Sequence, residues 1–149
     1  MRPELRSRVE EYGAVHRNPV NRALHLLGIP LLGVGSLGLL SRLAVPVGAG
    51  AAALEPNVAW PAVLAALVWY AAVGRWSGLP AFAMVVACYA AGTLMPIGVL
   101  VALWFAGAVA HTVGHYGFEG KPPAVLSDPR SVLEAPAWLL ALVGGTLPR

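Results

Sequence analysis

Residues 16–30 read HRNPVNRALHLLGIP, and this stretch joins a charged N-terminal segment to a long apolar one. Asn18 and Pro19 form a helix start signal, because Asn caps helices through its side chain and Pro is favoured at the first helical position. The same stretch carries His16 and His25, two of the four histidines in the chain. It therefore predicts where a first membrane helix begins and places two candidate metal ligands at that point.

The composition around this stretch is that of a membrane protein. Of 149 residues, 58% are hydrophobic and only 11% are charged, and the mean hydropathy is +0.69. Soluble domains carry roughly 25% charged residues. We expect a single all-α integral membrane domain over residues 1–149. No basic run or aromatic–basic interleaving is present, which argues against nucleic-acid binding. Cys88 stands alone, so it offers no disulfide and is expected to be a buried core residue.

Four apolar stretches predict membrane-spanning helices, at about residues 19–40, 58–73, 79–94 and 96–116. Pro30 is expected to kink the first of them. The segment before that helix is too long and too acidic for a signal peptide, so the helix is expected to be retained. A Gly-, Ala- and Pro-rich loop is expected at 41–57, and the GKPP sequence at 120–123 is expected to end the fourth helix.

Two shorter elements flank these spans. Leu5, Val9 and Tyr12 recur at helical spacing, which predicts a short amphipathic helix lying against the membrane surface. Residues 135–147 are apolar but too few to cross a core of roughly 30 Å at about 1.5 Å per residue. We therefore expect a C-terminal helix that lies in the interface or re-enters the membrane part-way.

Basic residues are distributed unevenly over the loops of this topology. With four spans, only Arg42 lies on the side opposite the two termini. Nine basic residues lie on the side of the termini, namely Arg2, Arg6, Arg8, Arg17, Arg22, Arg75, Lys121, Arg130 and Arg149. The positive-inside rule then predicts cytoplasmic termini. The membrane would be the plasma membrane in a bacterium and the endoplasmic reticulum in a eukaryote. The sequence leaves open whether the chain forms a homo-oligomer.

The same topology brings the four histidines to one face of the membrane. His16 and His25 lie at the cytoplasmic end of the first span, and His111 and His115 at the cytoplasmic end of the fourth. His111 and His115 are four residues apart, a spacing that lets two imidazoles bind one ion. Neutral imidazoles without thiolates suit Fe, Zn, Cu or Ni better than Mg or Ca. We expect these four residues to bind a metal ion.

Other polar residues near the histidines are candidates for supporting roles. Asn21 lies one turn before His25 and can hydrogen-bond beside it or reach the same site. Glu119 is two turns beyond His111, so it is expected to orient His115 rather than bind the ion. Gly114 would let a neighbouring helix approach closely. The remaining candidates are Tyr12 and Tyr116, as site or interfacial anchoring residues.

Two motifs resemble those of a known membrane family. His16 and His25, with Asn21, Gly28 and Pro30 around them, form the first motif. The second comprises His111, His115, Phe118 and Glu119, followed by the PAVL sequence at 123–126. Together, and in this order over nearly the whole chain, they resemble the 2-hydroxy fatty acid dioxygenase family, typified by a fungal enzyme of fatty acid α-oxidation.

The resemblance implies an Fe(II)-dependent reaction of a 2-hydroxy fatty acid with O2. The acid would lose its carboxyl carbon as CO2 and become a fatty acid one carbon shorter. His16, His25, His111 and His115 match the motif histidines expected to bind iron. Asn21 and Glu119 match further motif positions that are candidate catalytic residues. The acyl tail would lie between the spans, which are as apolar as the surrounding membrane lipid. Arg17, Arg22 or Lys121 at the interface would pair with the substrate's carboxylate or contact lipid headgroups.

Two other functions are compatible with the same residues. One is a non-catalytic b-type haem protein, with axial histidines from the first and fourth spans. The other is a membrane scaffold or small-molecule carrier without a metal. Hydrolase mechanisms are disfavoured, since the sequence has neither His-Glu-x-x-His nor Gly-x-Ser-x-Gly.

Overall fold

A computed structural model describes residues 1–44 and 56–146. Six α-helices follow one another along the chain: α1 (Pro3–Ala14), α2 (Pro19–Leu40), α3 (Ala59–Val73), α4 (Leu79–Leu94), α5 (Ile97–Thr112) and α6 (Ser131–Val143). Short 3-10 helices precede α4 (Arg75–Gly78) and α6 (Ala124–Leu126), and a π-helix continues α5 (Val113–Glu119). No strand occurs in the described residues, where one isolated bridge pairs Ala44 with Asn57. The predicted all-α fold is confirmed.

Three helical runs are long and apolar enough to cross a membrane, namely Pro19–Leu40, Arg75–Leu94 and Ile97–Glu119. The first agrees with its predicted bounds and passes through Pro30 without interruption. Helix α3 has 15 residues and is shorter than these runs. Four spans therefore remain a prediction, as does the orientation of the chain. Most of the predicted loop at 41–57 lies outside the described residues.

Helices α2 and α5 form an antiparallel pair with their backbones in close contact. Gly28 faces Gly107, and Gly35 faces the backbone of Trp104. A Cβ at Gly35 would lie 2.7 Å from the Trp104 nitrogen, a distance that real side chains do not reach. Small residues thus allow the two helices to pack tightly, as they do in membrane bundles. This pairing brings the start of α2 beside the end of α5.

Helices α1 and α6 pack against each other over that same end of the α2–α5 pair. Leu5, Val9 and Tyr12 of α1 are buried in the protein core and not against lipid, which corrects the membrane-surface placement of this face. Arg8 of α1 donates to Glu134 of α6 at 3.3 Å. The helical periodicity of apolar residues shows that one face of a helix is buried. It does not show whether lipid or protein buries that face.

Helix α6 begins four residues earlier than the predicted segment at 135–147, whose last residue lies outside the described part of the chain. Most of its residues are buried inside the protein. The Tyr70 hydroxyl of α3 donates to the Leu133 carbonyl at 2.6 Å and ties α6 to the bundle. This short helix is therefore a structural cover for the end of the bundle at which the histidines lie.

Candidate metal centre

Three histidines converge at the junction of α1, α2 and the π-helix. His16 lies between α1 and α2, His25 in the second turn of α2, and His115 in the π-helix. All three are buried, with no more than 2% of their surface exposed. One ring nitrogen from each lies within 4.8 Å of the others, so the three could hold one metal ion.

Backbone carbonyls fix which nitrogen of two rings is free. His16 Nδ1 lies 2.6 Å from the Tyr12 carbonyl oxygen, and His25 Nδ1 lies 2.9 Å from the Asn21 carbonyl oxygen. Each Nδ1 must therefore carry the proton and donate it, which leaves the Nε2 lone pair free. Metal-binding histidines are commonly oriented in this way. Burial lowers the pKa of His16, which also favours its neutral form.

The Nε2 atoms of His25 and His115 have the spacing of two ligands on one ion. His25 Nε2 and His115 Nε2 are 3.1 Å apart. Two nitrogens on one ion at a bond length of about 2.1 Å would be about 3.0 Å apart at a right angle and about 3.4 Å apart in a tetrahedron. His16 Nε2 is buried and has no hydrogen-bond partner. A buried polar atom of this kind needs a partner, and a metal ion would supply one.

His111 is beside this group but outside it. Its ring centroid is 4.2 Å from that of His25 and 4.9 Å from that of His115. Its nitrogens do not fall within the group of three ligand atoms, and its Nδ1 is buried without a partner. The predicted four-histidine site is therefore, in geometry, a trio with a fourth ring in contact. The assignment of all four as ligands remains a prediction.

Asn21 and Glu119 form a hydrogen-bonded support under the trio. Glu119 Oε1 accepts from the Asn18 backbone N–H at 2.8 Å and from Asn21 Nδ2 at 3.2 Å. Glu119 thus holds the start of α2 instead of orienting the His115 ring as expected from sequence. Asn21 is fully buried, and its backbone carbonyl oxygen accepts a hydrogen bond from His25 Nδ1. Both candidate catalytic residues therefore contact the site through the backbone turn that carries His25.

Gly114 makes the close approach of Asn21 feasible. Any Cβ at this position would overlap the Asn21 Oδ1 atom. Oδ1 is buried without a conventional hydrogen-bond partner, and the Gly114 Cα–H faces it, a weak contact of the kind seen between packed helices. The expectation that Gly114 permits close packing of a neighbouring helix agrees with this geometry.

The π-helix sets the position of His115. From Val113 to Glu119 the chain winds more loosely than an α-helix. It ends at Gly120, which adopts a positive φ of 64°, so the predicted stop at 120–123 agrees with the structure. Single π-helical turns within α-helices occur frequently at functional sites.

Two aromatic side chains enclose the trio. The Tyr12 ring stacks on the His16 ring at 4.3 Å, and Trp138 of α6 lies 5.2 Å from His16 and 6.1 Å from His25. Burial and the nearby Glu134 carboxylate raise the pKa of Tyr12, so its phenol stays protonated. Trp138 was not predicted from the sequence, because it belongs to an apolar helix far along the chain. Tyr116 is 56% exposed and does not contribute to this enclosure.

The three basic candidates differ in their environment. Arg22 Nε donates to the His16 carbonyl at 2.7 Å, which fixes the backbone of that histidine. Arg17 Nε donates to the Ala14 carbonyl at 2.9 Å and caps the end of α1. Lys121 is exposed beyond the π-helix. Arg22 thus contacts the trio through its side chain, whereas Lys121 contacts it through its backbone N–H, which donates to the His115 carbonyl at 3.2 Å.

An apolar cavity of about 410 Å³ lies beside the site. It runs between α2, α3, α4 and α6, and its walls include Ile29, Leu37 and Val85. His111 and Tyr12 line one part of it, so the cavity reaches the histidines. The volume falls in the range of roughly 300–1,000 Å³ that is usual for small-molecule sites.

Comparison with known proteins identifies the family of the chain. The model of a family described as 2-hydroxy-palmitic acid dioxygenase Mpo1-like matches residues 3–147. No curated protein and no solved structure matches the chain. The family's name suggests a dioxygenase acting on a 2-hydroxy fatty acid. Since the match covers nearly the whole chain and includes every residue of the histidine site, the chain belongs to the 2-hydroxy-palmitic acid dioxygenase Mpo1-like family.

Proposed function

We propose that the protein is an Fe(II)-dependent dioxygenase that converts a 2-hydroxy fatty acid into the fatty acid one carbon shorter. The substrate and one O2 would give the shortened acid, CO2 and one water. The observation that carries this proposal is the buried trio of His16, His25 and His115, with an apolar cavity beside it. A polar reaction centre joined to an apolar cavity suits a substrate with one reactive end and a hydrocarbon tail.

The donor set suits the proposed metal. Imidazole nitrogens bind iron well, and the site contains no thiolate that would favour zinc or copper(I). Fe(II), when bound, would supply the chemistry that activates O2 and would bind the carboxylate and 2-hydroxyl of the substrate. His16, His25 and His115 would hold the ion.

The protein's own groups would position and shield this centre. The Tyr12 and Asn21 carbonyls keep two imidazoles in the tautomer that presents Nε2. Asn21 and Glu119 would act as positioning residues, since they fix the turn that carries His25. Trp138 and the Tyr12 ring exclude water from the His16 side. His111 would complete the wall towards the cavity.

The packing of the rings disfavours the haem alternative. The centroids of contacting histidine rings are 4.2–5.0 Å apart. A porphyrin with two of these residues as axial ligands would have to separate rings that are in direct contact. A strong Soret band in the purified protein would contradict the proposal. We further propose a membrane location with cytoplasmic termini, supported by the apolar helices and by the charge distribution.

The direct test is anaerobic loading of the purified protein with Fe(II), followed by 2-hydroxypalmitate and O2. We expect a fatty acid one carbon shorter, measured by mass spectrometry, and stoichiometric CO2. His115→Ala should abolish both product and bound iron. Thr93→Ala, at the opposite end of the bundle, is the control and should retain both. Iron-loaded protein that yields no product over a range of chain lengths would refute the substrate assignment.

A further inference from the structure

We propose that the apolar cavity binds the acyl chain of the substrate in one direction, with the carboxyl end at His111 and the methyl end near Leu40. The side chains at the Leu40 end would then set the chain length that the protein accepts. This inference rests on the proposed function in taking a fatty acid as the ligand. Three features of the cavity support it: its polarity, its dimensions and its opening.

The polarity of the cavity fixes the direction of the chain. At one end, His111 contacts His25 and has a buried Nδ1 without a partner, to which a carboxyl or hydroxyl group can bond. At the other end, the wall is formed by Leu37 and Leu40 of α2 and by Ala62 of α3. The Ser36 hydroxyl lines the wall one turn before Leu40, but no charged or imidazole side chain of the wall lies at this end. A carboxylate would therefore lie there without a charged partner, and the hydrocarbon end of the ligand fits better.

The position of Ala62 follows from the junction of α2 and α3. The Val58 backbone N–H donates to the Leu43 carbonyl at 3.0 Å, which places the start of α3 beside the end of α2. Ala62 lies one turn into α3 and hence at the level of Leu40. Both residues line the cavity, so they mark the part of its wall that lies farthest from the histidines along α2.

The length of the cavity matches one acyl chain. Its wall on α2 extends from Ile29 to Leu40, about 16 Å at 1.5 Å per residue. Half of a bilayer core, which one layer of acyl tails fills, is about 15 Å. A single extended tail therefore fits along α2. The cavity volume of about 410 Å³ leaves no room for a second tail beside the first.

The cavity also has an opening for a lipid-soluble ligand. Val125 and Val132, beside the histidine end, line the cavity and are 38% and 58% exposed. The wall is thus continuous with the outer apolar surface at this point. A tail can enter from the bilayer through this side without passing its methylenes through water, while its head group reaches His111.

The test measures binding of saturated fatty acids that cannot react. A fluorescent fatty acid is bound to the iron-free protein in detergent and displaced by palmitate or by laurate. Ala62→Leu adds bulk to the cavity wall at the methyl end, and Leu40→Ala removes bulk there. Ala65→Leu adds the same bulk to α3 at a residue that does not line the cavity. The ratio of palmitate to laurate affinity is compared, because partitioning into detergent is common to all variants and cancels.

We expect Ala62→Leu to lower this ratio about fifteenfold, since burial of a methylene is worth roughly fourfold in affinity and the new side chain would displace about two methylenes. Leu40→Ala should raise it, and Ala65→Leu should leave it unchanged. An equal ratio in all three variants, confirmed as folded by size-exclusion chromatography, would overturn the inference. If a diacyl phospholipid displaced the fluorescent fatty acid as effectively as palmitate does, the placement of the carboxyl end at His111 would be overturned.

These outcomes separate the inference from the function on which it rests. If the ratio shifts as expected but no 2-hydroxy acid is converted, the acyl site stands and the dioxygenase proposal fails. If 2-hydroxypalmitate is converted but Ala62→Leu and Leu40→Ala bind and convert all chain lengths like the wild type, the dioxygenase proposal stands and the acyl site is refuted.

Discussion

The contact between Gly114 and Asn21 makes Gly114→Ala a sharp test of the metal centre. An added Cβ would overlap Asn21 Oδ1, and Asn21 is fully buried, so it cannot swing into solvent. Overpacking costs about 1–3 kcal/mol. Displacing Asn21 also breaks its hydrogen bond to the Glu119 carboxylate, a loss of about 1.5–3 kcal/mol for a charged partner. We expect a destabilisation of about 3 kcal/mol, or roughly a hundredfold in the unfolding equilibrium.

The same substitution should disturb metal binding, because Asn21 orients His25 through its carbonyl oxygen. The assay compares thermal unfolding in detergent and iron content after loading for Gly114→Ala and Gly117→Ala. Gly117 is the matched control in the same π-helix, where a Cβ would meet only a Val113 methyl at 3.8 Å. We expect Gly117→Ala to retain stability and iron. If both variants unfold at the same temperature and bind iron equally, the Asn21 contact does not support the site.

Three further predictions follow from the contacts around the trio. Trp138→Ala should destabilise the protein by about 3–5 kcal/mol in thermal unfolding, because it leaves a void beside His16, whereas Trp138→Phe should retain most of the stability; equal unfolding temperatures for the two would contradict this. Arg8→Ala should cost more stability at about pH 8 than at about pH 5. Burial raises the pKa of Glu134 and Arg8 lowers it, so removing Arg8 raises that pKa further. The protonated acid's contribution to the free energy of unfolding is then lost as the pH rises through this higher pKa. Glu134→Gln should abolish the pH dependence, and a destabilisation by Arg8→Ala that is independent of pH would refute the pairing. By elemental analysis, His115→Ala should lose bound iron and His111→Ala should retain it, since His111 lies outside the group of ligand nitrogens; equal loss in both would instead support four ligands.

Local signals in the sequence predicted the long helices well. The bounds 19–40 and 79–94 agree with α2 and α4, because Asn18-Pro19 and the turns around Gly78 and Met95 are strong local signals. Asn18 caps α2 through its side chain as expected, accepting from the Val20 N–H at 2.9 Å. The number of helices that cross the membrane is not settled by the same signals, since α3 is only 15 residues long.

The site was predicted only in part, for reasons that lie in tertiary packing. The spacing of His111 and His115 indicated two ligands on one α-helical face, but the π-helix that begins at Val113 changes the direction of His115 relative to His111. No sequence periodicity predicts such a change, because the π-helix packs against Asn21 of α2, and this is a tertiary contact. Trp138 was missed for a related reason, since its role depends on how α6 folds back over α1.

The separation of the ligands along the chain has a consequence for biosynthesis. His25 and His115 are 90 residues apart, and a ribosome adding roughly 5–20 residues per second needs several seconds to make that stretch. During this interval the first half of the site has no partner, because α5 and α6 have not yet been made. Metal can therefore be captured only after the last long helix has docked on α2. If the proposed iron site is correct, iron bound in the cell would indicate that insertion of the chain is complete. A nascent protein stalled before α5 would remain metal-free.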